Sequence, residues 1–190
     1  RIMAELHRLG IADDTLVVYA SDHGDWLGDH GLLLKGPMAY EGLMRVPLVM
    51  RGPGVPAGQV IDDPVSTLDL GATFLDAAGV ERPGNWHSQS LMPVLDGKEQ
   101  RAFALNEWDL NASRCGVELK LRTVRTRTHR LTQETVSGAG ELYDLEADPH
   151  ELDNRYDDPA MAAIRQKLET MIASRPDDAL DPPLEPVGMA

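Results

Sequence analysis

Apolar residues along this chain change their spacing from one stretch to the next, and each spacing predicts a different element. Ile2, Met3, Leu6 and Leu9 recur at helical intervals. The helix they predict leads through the Asp13-Asp14 turn into Thr15-Leu16-Val17-Val18-Tyr19-Ala20, a continuous run that predicts a strand covered on both faces within a parallel sheet. The run ends in Ser21-Asp22-His23-Gly24. Residues 24–44, rich in Gly and polar groups, predict a long loop with a short helix near 40–44. Val46-Pro47-Leu48-Val49-Met50 follows as a second strand, with Pro47 suited to a strand start or an edge because it has no N–H to donate. Ser66-Thr67-Leu68-Asp69 has capping-box form and predicts a helix through Ala78, with Leu68, Ala72, Leu75 and Ala78 on one face and Gly79 as its stop.

From residue 102 the pattern shortens. Strand-like stretches at 102–106, 117–124, 129–133 and 141–145 are separated by Gly, Asn and Ser, with no helix of useful length between them, so antiparallel pairing is expected. Asp158-Pro159 sets an N-cap before a first-turn proline, and Met161, Ile164, Leu168, Met171 and Ile172 form the apolar stripe of a closing helix. The expected organisation is an α/β region over 1–98, a small antiparallel sheet packed by a helix over 99–175, and an extended or disordered proline-rich tail over 176–190.

Charge narrows the partners. With 31 acidic against 18 basic residues the net charge is -13, which disfavours nucleic acid and anionic membrane surfaces. Lys120, Arg122, Arg125, Arg127 and Arg130 stand among Leu, Val and Thr and read as the polar face of strands. The single cysteine, Cys115, excludes an internal disulfide and a cysteine-rich zinc module. No run of about 18 apolar residues is present to predict a spanning helix. Glu5, His7 and Arg8 interrupt the first ten residues, which therefore do not read as a signal peptide. The chain reads as one that begins inside a helix, with a further N-terminal segment expected before it.

Chemistry concentrates where the first strand ends. Asp22 and His23 are adjacent oxygen and nitrogen donors that can reach one divalent ion, because ligands in open α/β sheets gather at strand carboxyl ends and Gly24 lets the backbone turn. Two donors do not complete a site, since Ca²⁺ takes roughly 6 to 8 oxygen ligands. Asp-His-Gly is equally a good turn sequence, and both readings stand on the residues alone.

The company these residues keep resembles a known family. Asp22-His23, Gly28-Asp29-His30-Gly31, Lys35, Arg45-Val46-Pro47-Leu48, Arg51-Gly52-Pro53-Gly54, Val65-Ser66-Thr67-Leu68-Asp69-Leu70 and the stretch from Glu141-Leu142-Tyr143-Asp144 to Asp148-Pro149-His150-Glu151 are similar in order and spacing to the sulfatase and phosphonate monoester hydrolase branch of the alkaline phosphatase superfamily. The resemblance implies an α/β fold, namely the C-terminal part of an alkaline-phosphatase-like sandwich plus a small antiparallel sheet packed by a C-terminal helix. It implies that Asp22 and His23 ligate a single Ca²⁺ or Mn²⁺ and that Lys35 contacts the anionic group of a small-molecule sulfate or phosphonate ester. His30 fits either a hydrogen bond behind a ligand or a turn, Asp25 and Asp29 fit turn positions, and His150 and Asp148 are assigned no chemistry.

The same resemblance implies a formylglycine nucleophile made from a Cys/Ser-x-Pro/Ala-x-Arg motif. Ser113-Arg114-Cys115-Gly116-Val117 does not match it, so the nucleophile is expected in an N-terminal part outside this sequence, and the isolated chain is expected to be inactive. Apolar surface left uncovered would then call for the missing segment, a partner chain or a homo-oligomer. Two alternatives stay open: a noncatalytic or assembly domain that keeps the fold, and a phosphatase or phosphodiesterase relative.

Overall fold

Residues 1–112 and 116–176 are described by the structure, a computed structural model. The readings of Cys115 and of the tail beyond Pro176 fall outside the described residues. Helix α1 (Ile2–Arg8) forms at the expected place and buries none of its residues. Strands β1 (Val17–Ala20) and β2 (Leu48–Arg51) pair with each other, Val17 opposite Arg51 and Ala20 opposite Leu48.

The one neighbour β1 has among the described residues is not a parallel one. β1 and β2 run antiparallel as a two-stranded ribbon, and Tyr19 and Val49, directly opposite each other, are 66% and 62% exposed. An unbroken apolar run identifies a strand but not its partners, and here no described element covers the Tyr19–Val49 face.

The short helix α2 (Glu41–Met44) precedes β2, and Pro47 sits just before the first β2 residue. Helix α3 (Asp69–Ala77) starts with half of the capping box: Asp69 Oδ2 accepts the Ser66 backbone N–H at 3.3 Å, while Ser66 Oγ accepts the Leu68 N–H at 3.2 Å. It stops at Gly79, whose φ of +68° is the left-handed turn a glycine takes most easily, and the Val80 N–H closes the end on Leu75 O at 2.8 Å. The buried face differs from the expected one. Ala72 and Thr73 are buried while Leu68 is 58% exposed, because the Thr73 hydroxyl donates to Asp69 O and accepts the Leu91 N–H that leads into α4 (Met92–Leu95).

The larger sheet is an antiparallel meander of β3 (Phe103–Leu110), β4 (Leu119–Thr126), β5 (His129–Glu134) and β6 (Gly140–Asp144), in that spatial order. β3 and β4 continue past their predicted ends, since the polar residues there still join the ladder from Phe103–Thr126 to Leu110–Leu119. Asp158 Oδ1 accepts the Ala160 N–H at 2.8 Å and starts the turn into α5 (Ala162–Ala173).

Register then sorts the side chains onto two faces. Leu105, Val124, Leu131 and Leu142 stand opposite one another in a cross-strand row and pack, with Leu168 and Ile172 of α5, into the main core. Full burial of each such side chain stabilises the fold by about 1.5–3 kcal/mol. One residue along, Arg125, Arg130 and Tyr143 form the next row and project from the other face. That face meets α2 and the loop after β1, where Trp26, Tyr40, Leu43 and Tyr143 form a second core. Among the described residues no helix is long and apolar enough to cross a membrane.

Candidate metal and anion site

The chain leaves β1 at Ala20 and turns at once through Asp22 and His23. Gly24 holds this turn against α2: its N–H donates to Leu43 O at 2.8 Å, and a Cβ there would lie 2.0 Å from Gly42 O, so no other residue fits without displacing the helix. Within the turn, Ser21 Oγ donates to His23 O at 2.8 Å and Asp22 Oδ1 accepts the His23 backbone N–H at 3.0 Å. That backbone N–H, followed by the charge the His23 ring can carry, holds the Asp22 carboxyl below its usual range.

His23 Nδ1 lies 2.7 Å from Gly24 O. A carbonyl only accepts, so Nδ1 carries a proton toward it, and in the neutral ring the lone pair is then on Nε2. Nε2 is 3.7 Å from Asp22 Oδ2, and both side chains are open to solvent, at 41% and 86% exposed. The pair thus presents one carboxylate oxygen and one imidazole nitrogen side by side. That donor set suits a divalent ion. Among the described residues no group of three or more His, Cys, Asp or Glu gathers to hold a metal.

Beyond the turn, the Trp26 N–H donates to Leu34 O and the Gly28 N–H to Leu32 O, which folds residues 26–34 back on themselves. Asp25 Oδ1 accepts the Leu27 N–H at 2.8 Å, as expected of a turn carboxylate. Lys35 follows Leu34, whose φ is +63°, and is exposed with no ion pair among the described residues. Asp22 and His23 are therefore brought together, while Lys35 contacts neither. His30 takes the turn option in a form not anticipated: its φ is +54°, and its ring stacks on Tyr40 with centroids 3.7 Å apart and planes 6° from parallel.

Behind the loop lies a set of residues that sequence reasoning passed over. Arg130, read as a solvated strand residue, is 1% exposed. Its Nε donates to Glu151 Oε1, its Nη1 donates to Thr132 Oγ1 at 2.8 Å, and its guanidinium lies 4.8 Å from the Tyr143 ring centroid and 5.3 Å from that of Tyr40. Burial raises the ionisation of both Tyr40 and Tyr143 above the usual phenol range. Arg125 and Arg130 are directly opposite across β4 and β5, a repulsive placement unless each finds a carboxylate. Glu41 serves Arg125, accepting from Nε at 3.1 Å and Nη2 at 3.0 Å, and Glu151 serves Arg130. The available signal was the alternation in β5, which puts Arg130 and Leu131 on opposite faces without saying that both faces are covered.

The family described as "N-sulphoglucosamine sulphohydrolase, C-terminal" matches residues 28–177, which includes Lys35 and begins after Asp22 and His23. Choline-sulfatase of Rhizobium meliloti is 37% identical over 157 residues, covering 81% of this chain and 29% of that protein. Arylsulfatase K of Homo sapiens is 34% identical over 160 residues, covering 80% of this chain and 30% of that protein. The crystal structure of a phosphonate monoester hydrolase of Agrobacterium radiobacter aligns with a TM-score of 0.80 at 32% identity, over 92% of this chain and 37% of that one. The chain spans about a third of the length of the proteins it resembles.

Proposed function

Since the chain belongs to the sulfatase C-terminal family, we propose that it supplies part of the active site of a metal-dependent hydrolase acting on a sulfuric ester, or on a phosphonate or phosphate ester of similar charge. The observation that carries this reading is the Asp22–His23 pair at the carboxyl end of β1, with the Nε2 lone pair of His23 beside an ionised Asp22. These two residues would hold one divalent ion, Ca²⁺ or Mn²⁺, and the chemistry such an ion supplies when bound is polarisation of the ester's anionic oxygens. Further donors, and the formylglycine nucleophile, would come from protein outside this sequence. The division into an α/β part over 1–98 and a sheet-and-helix part over 99–175 belongs to the same proposal.

Four residues would share the work in that reaction. The carbonyl of Gly24 fixes the tautomer of His23 so that Nε2 faces outward as a donor. The His23 backbone N–H favours the charged form of Asp22, the form that can hold a cation. Lys35 would supply a mobile cation for the substrate anion, and a contact of about 4 Å is worth roughly 4 kcal/mol at an effective dielectric near 20, before desolvation is subtracted. Its freedom from any protein ion pair among the described residues leaves it available for that contact.

The test is hydrolysis of an aryl sulfate and an aryl phosphonate by the gene product that carries this chain, with and without divalent metal. Turnover that depends on the metal and is mostly abolished in Asp22→Ala is the expected result, with Lys35→Ala lowering the rate by on the order of 10² to 10³. Wild-type turnover in Asp22→Ala would remove the residue from the metal site, and unchanged kinetics in Lys35→Ala would return it to the surface.

A further inference from the structure

Glu151 occupies a conformation that needs a reason. It is 3% exposed, its φ is +56°, and neither a buried carboxylate nor a left-handed non-glycine backbone is favourable in isolation. Both features are accounted for by where the carboxylate is held. Oε1 takes the Arg130 Nε–H, and Oε2, on the other side, accepts the backbone N–H of Glu41 at 2.7 Å. Glu41 is the first residue of α2, and its own side chain is held in bidentate fashion by Arg125. The larger sheet therefore grips α2 twice, through the main chain and through the side chain of one residue.

The same helix also touches the candidate loop. Leu43 O accepts the Gly24 N–H, the space a Gly42 Cβ would take lies 3.1 Å from Asp29 Oδ2, and Tyr40 at the helix start carries the stacked His30 ring. From β4 and β5 to His23 there is thus an unbroken series of contacts: Arg130 to Glu151, Glu151 to Glu41, α2 to Gly24, and the Gly24 carbonyl to His23 Nδ1.

We infer that Glu151 and Arg125 are positioning residues, which hold α2 so that Gly24 sets the orientation and tautomer of His23. The inference rests on the reading of Asp22 and His23 as metal ligands for its functional meaning, but its structural content stands apart from any metal. Residues behind a metal ligand that fix its orientation commonly alter affinity by about 10- to 100-fold when replaced.

The test uses the ¹⁵N-labelled gene product that carries this chain, with Glu151→Ala, Glu151→Gln and Arg125→Ala, without metal and then with Mn²⁺. Amide exchange at Gly24 is expected to quicken roughly tenfold or more in Glu151→Ala relative to Leu131 at the sheet centre, which reports global opening. The His23 ring nitrogens should move toward a mixture of tautomers, and Glu151→Gln, which keeps an acceptor for the Glu41 N–H, should recover much of both signals. If Glu151→Ala does not fold, Arg125→Ala carries the same expectation at a partly exposed pair. Unchanged Gly24 exchange and His23 shifts in a folded Glu151→Ala, or in Arg125→Ala, would overturn the inference. Failure of Mn²⁺ to broaden the His23 signals of the wild-type gene product would instead remove the ligand reading and leave the positioning of Gly24 as measured.

Discussion

The two faces of the four-stranded sheet are built from adjacent residues of the same strands, yet they are held by opposite physics. On one face the row through Leu105, Val124, Leu131 and Leu142 is covered by α5, and any apolar side chain of the right volume could maintain it. On the other, Arg125 and Arg130 face each other across β4 and β5 and are tolerated only because Glu41 and Glu151 arrive from distant parts of the chain. The first face is a general solution to burial. The second specifies which loop and which helix must lie there, since a guanidinium with 1% exposure has little use for an arbitrary neighbour.

Substitutions can break that contrast, and the largest effect is expected on the charged face. Arg130→Met should cost about 3–5 kcal/mol in urea unfolding, because it leaves the Glu151 carboxylate buried without its cation. The double variant Arg130→Met with Glu151→Met should recover much of that loss. A double variant no more stable than the single one would show that the ion pair itself contributes the stability. Leu131→Ala, on the apolar face, should cost about 2–5 kcal/mol through lost burial and the cavity left behind, with no change in Gly24 exchange beyond the global effect.

A smaller effect is expected from acid. Glu134 is lowered from 4.5 to about 2 by the Ser137 side chain first and by the backbone N–H groups of Lys120, Ser137 and Val136. Its folded value lies below its unfolded one, so its contribution is fully present above about pH 4.5 and is lost as the pH falls toward 2. Glu134→Gln should flatten the stability profile between those values, and an unaltered acid slope would place the carboxylate's worth elsewhere.

How much of this was legible in the sequence follows the same division. The meander and α5 were readable because turn residues, a period of two and a helical stripe at Met161, Ile164, Leu168, Met171 and Ile172 are all local signals. The partner of β1 was not, because an apolar run such as Val17–Ala20 is the same whether its neighbour is parallel or antiparallel. Asp22 and His23 stand out as neighbours in sequence at a strand end, and that Lys35 is exposed with no ion pair among the described residues had no local signal. The Arg130–Glu151 pair joins β5 to the turn after β6, and its further bond to Glu41 spans most of the chain. Such a contact exists only once the chain is folded. His30 shows the same limit on a small scale, since its turn was readable and its stacking on Tyr40 was not.

The central claim, that Asp22 and His23 together contribute to holding one divalent ion, is tested most directly by titrating substoichiometric Mn²⁺ into the ¹⁵N-labelled gene product that carries this chain and mapping paramagnetic broadening. Selective loss of the His23 ring and the Asp22 and Gly24 amide signals, abolished in His23→Ala and in Asp22→Ala, is the predicted result. Broadening spread over other carboxylates, with the His23 ring untouched, would contradict it.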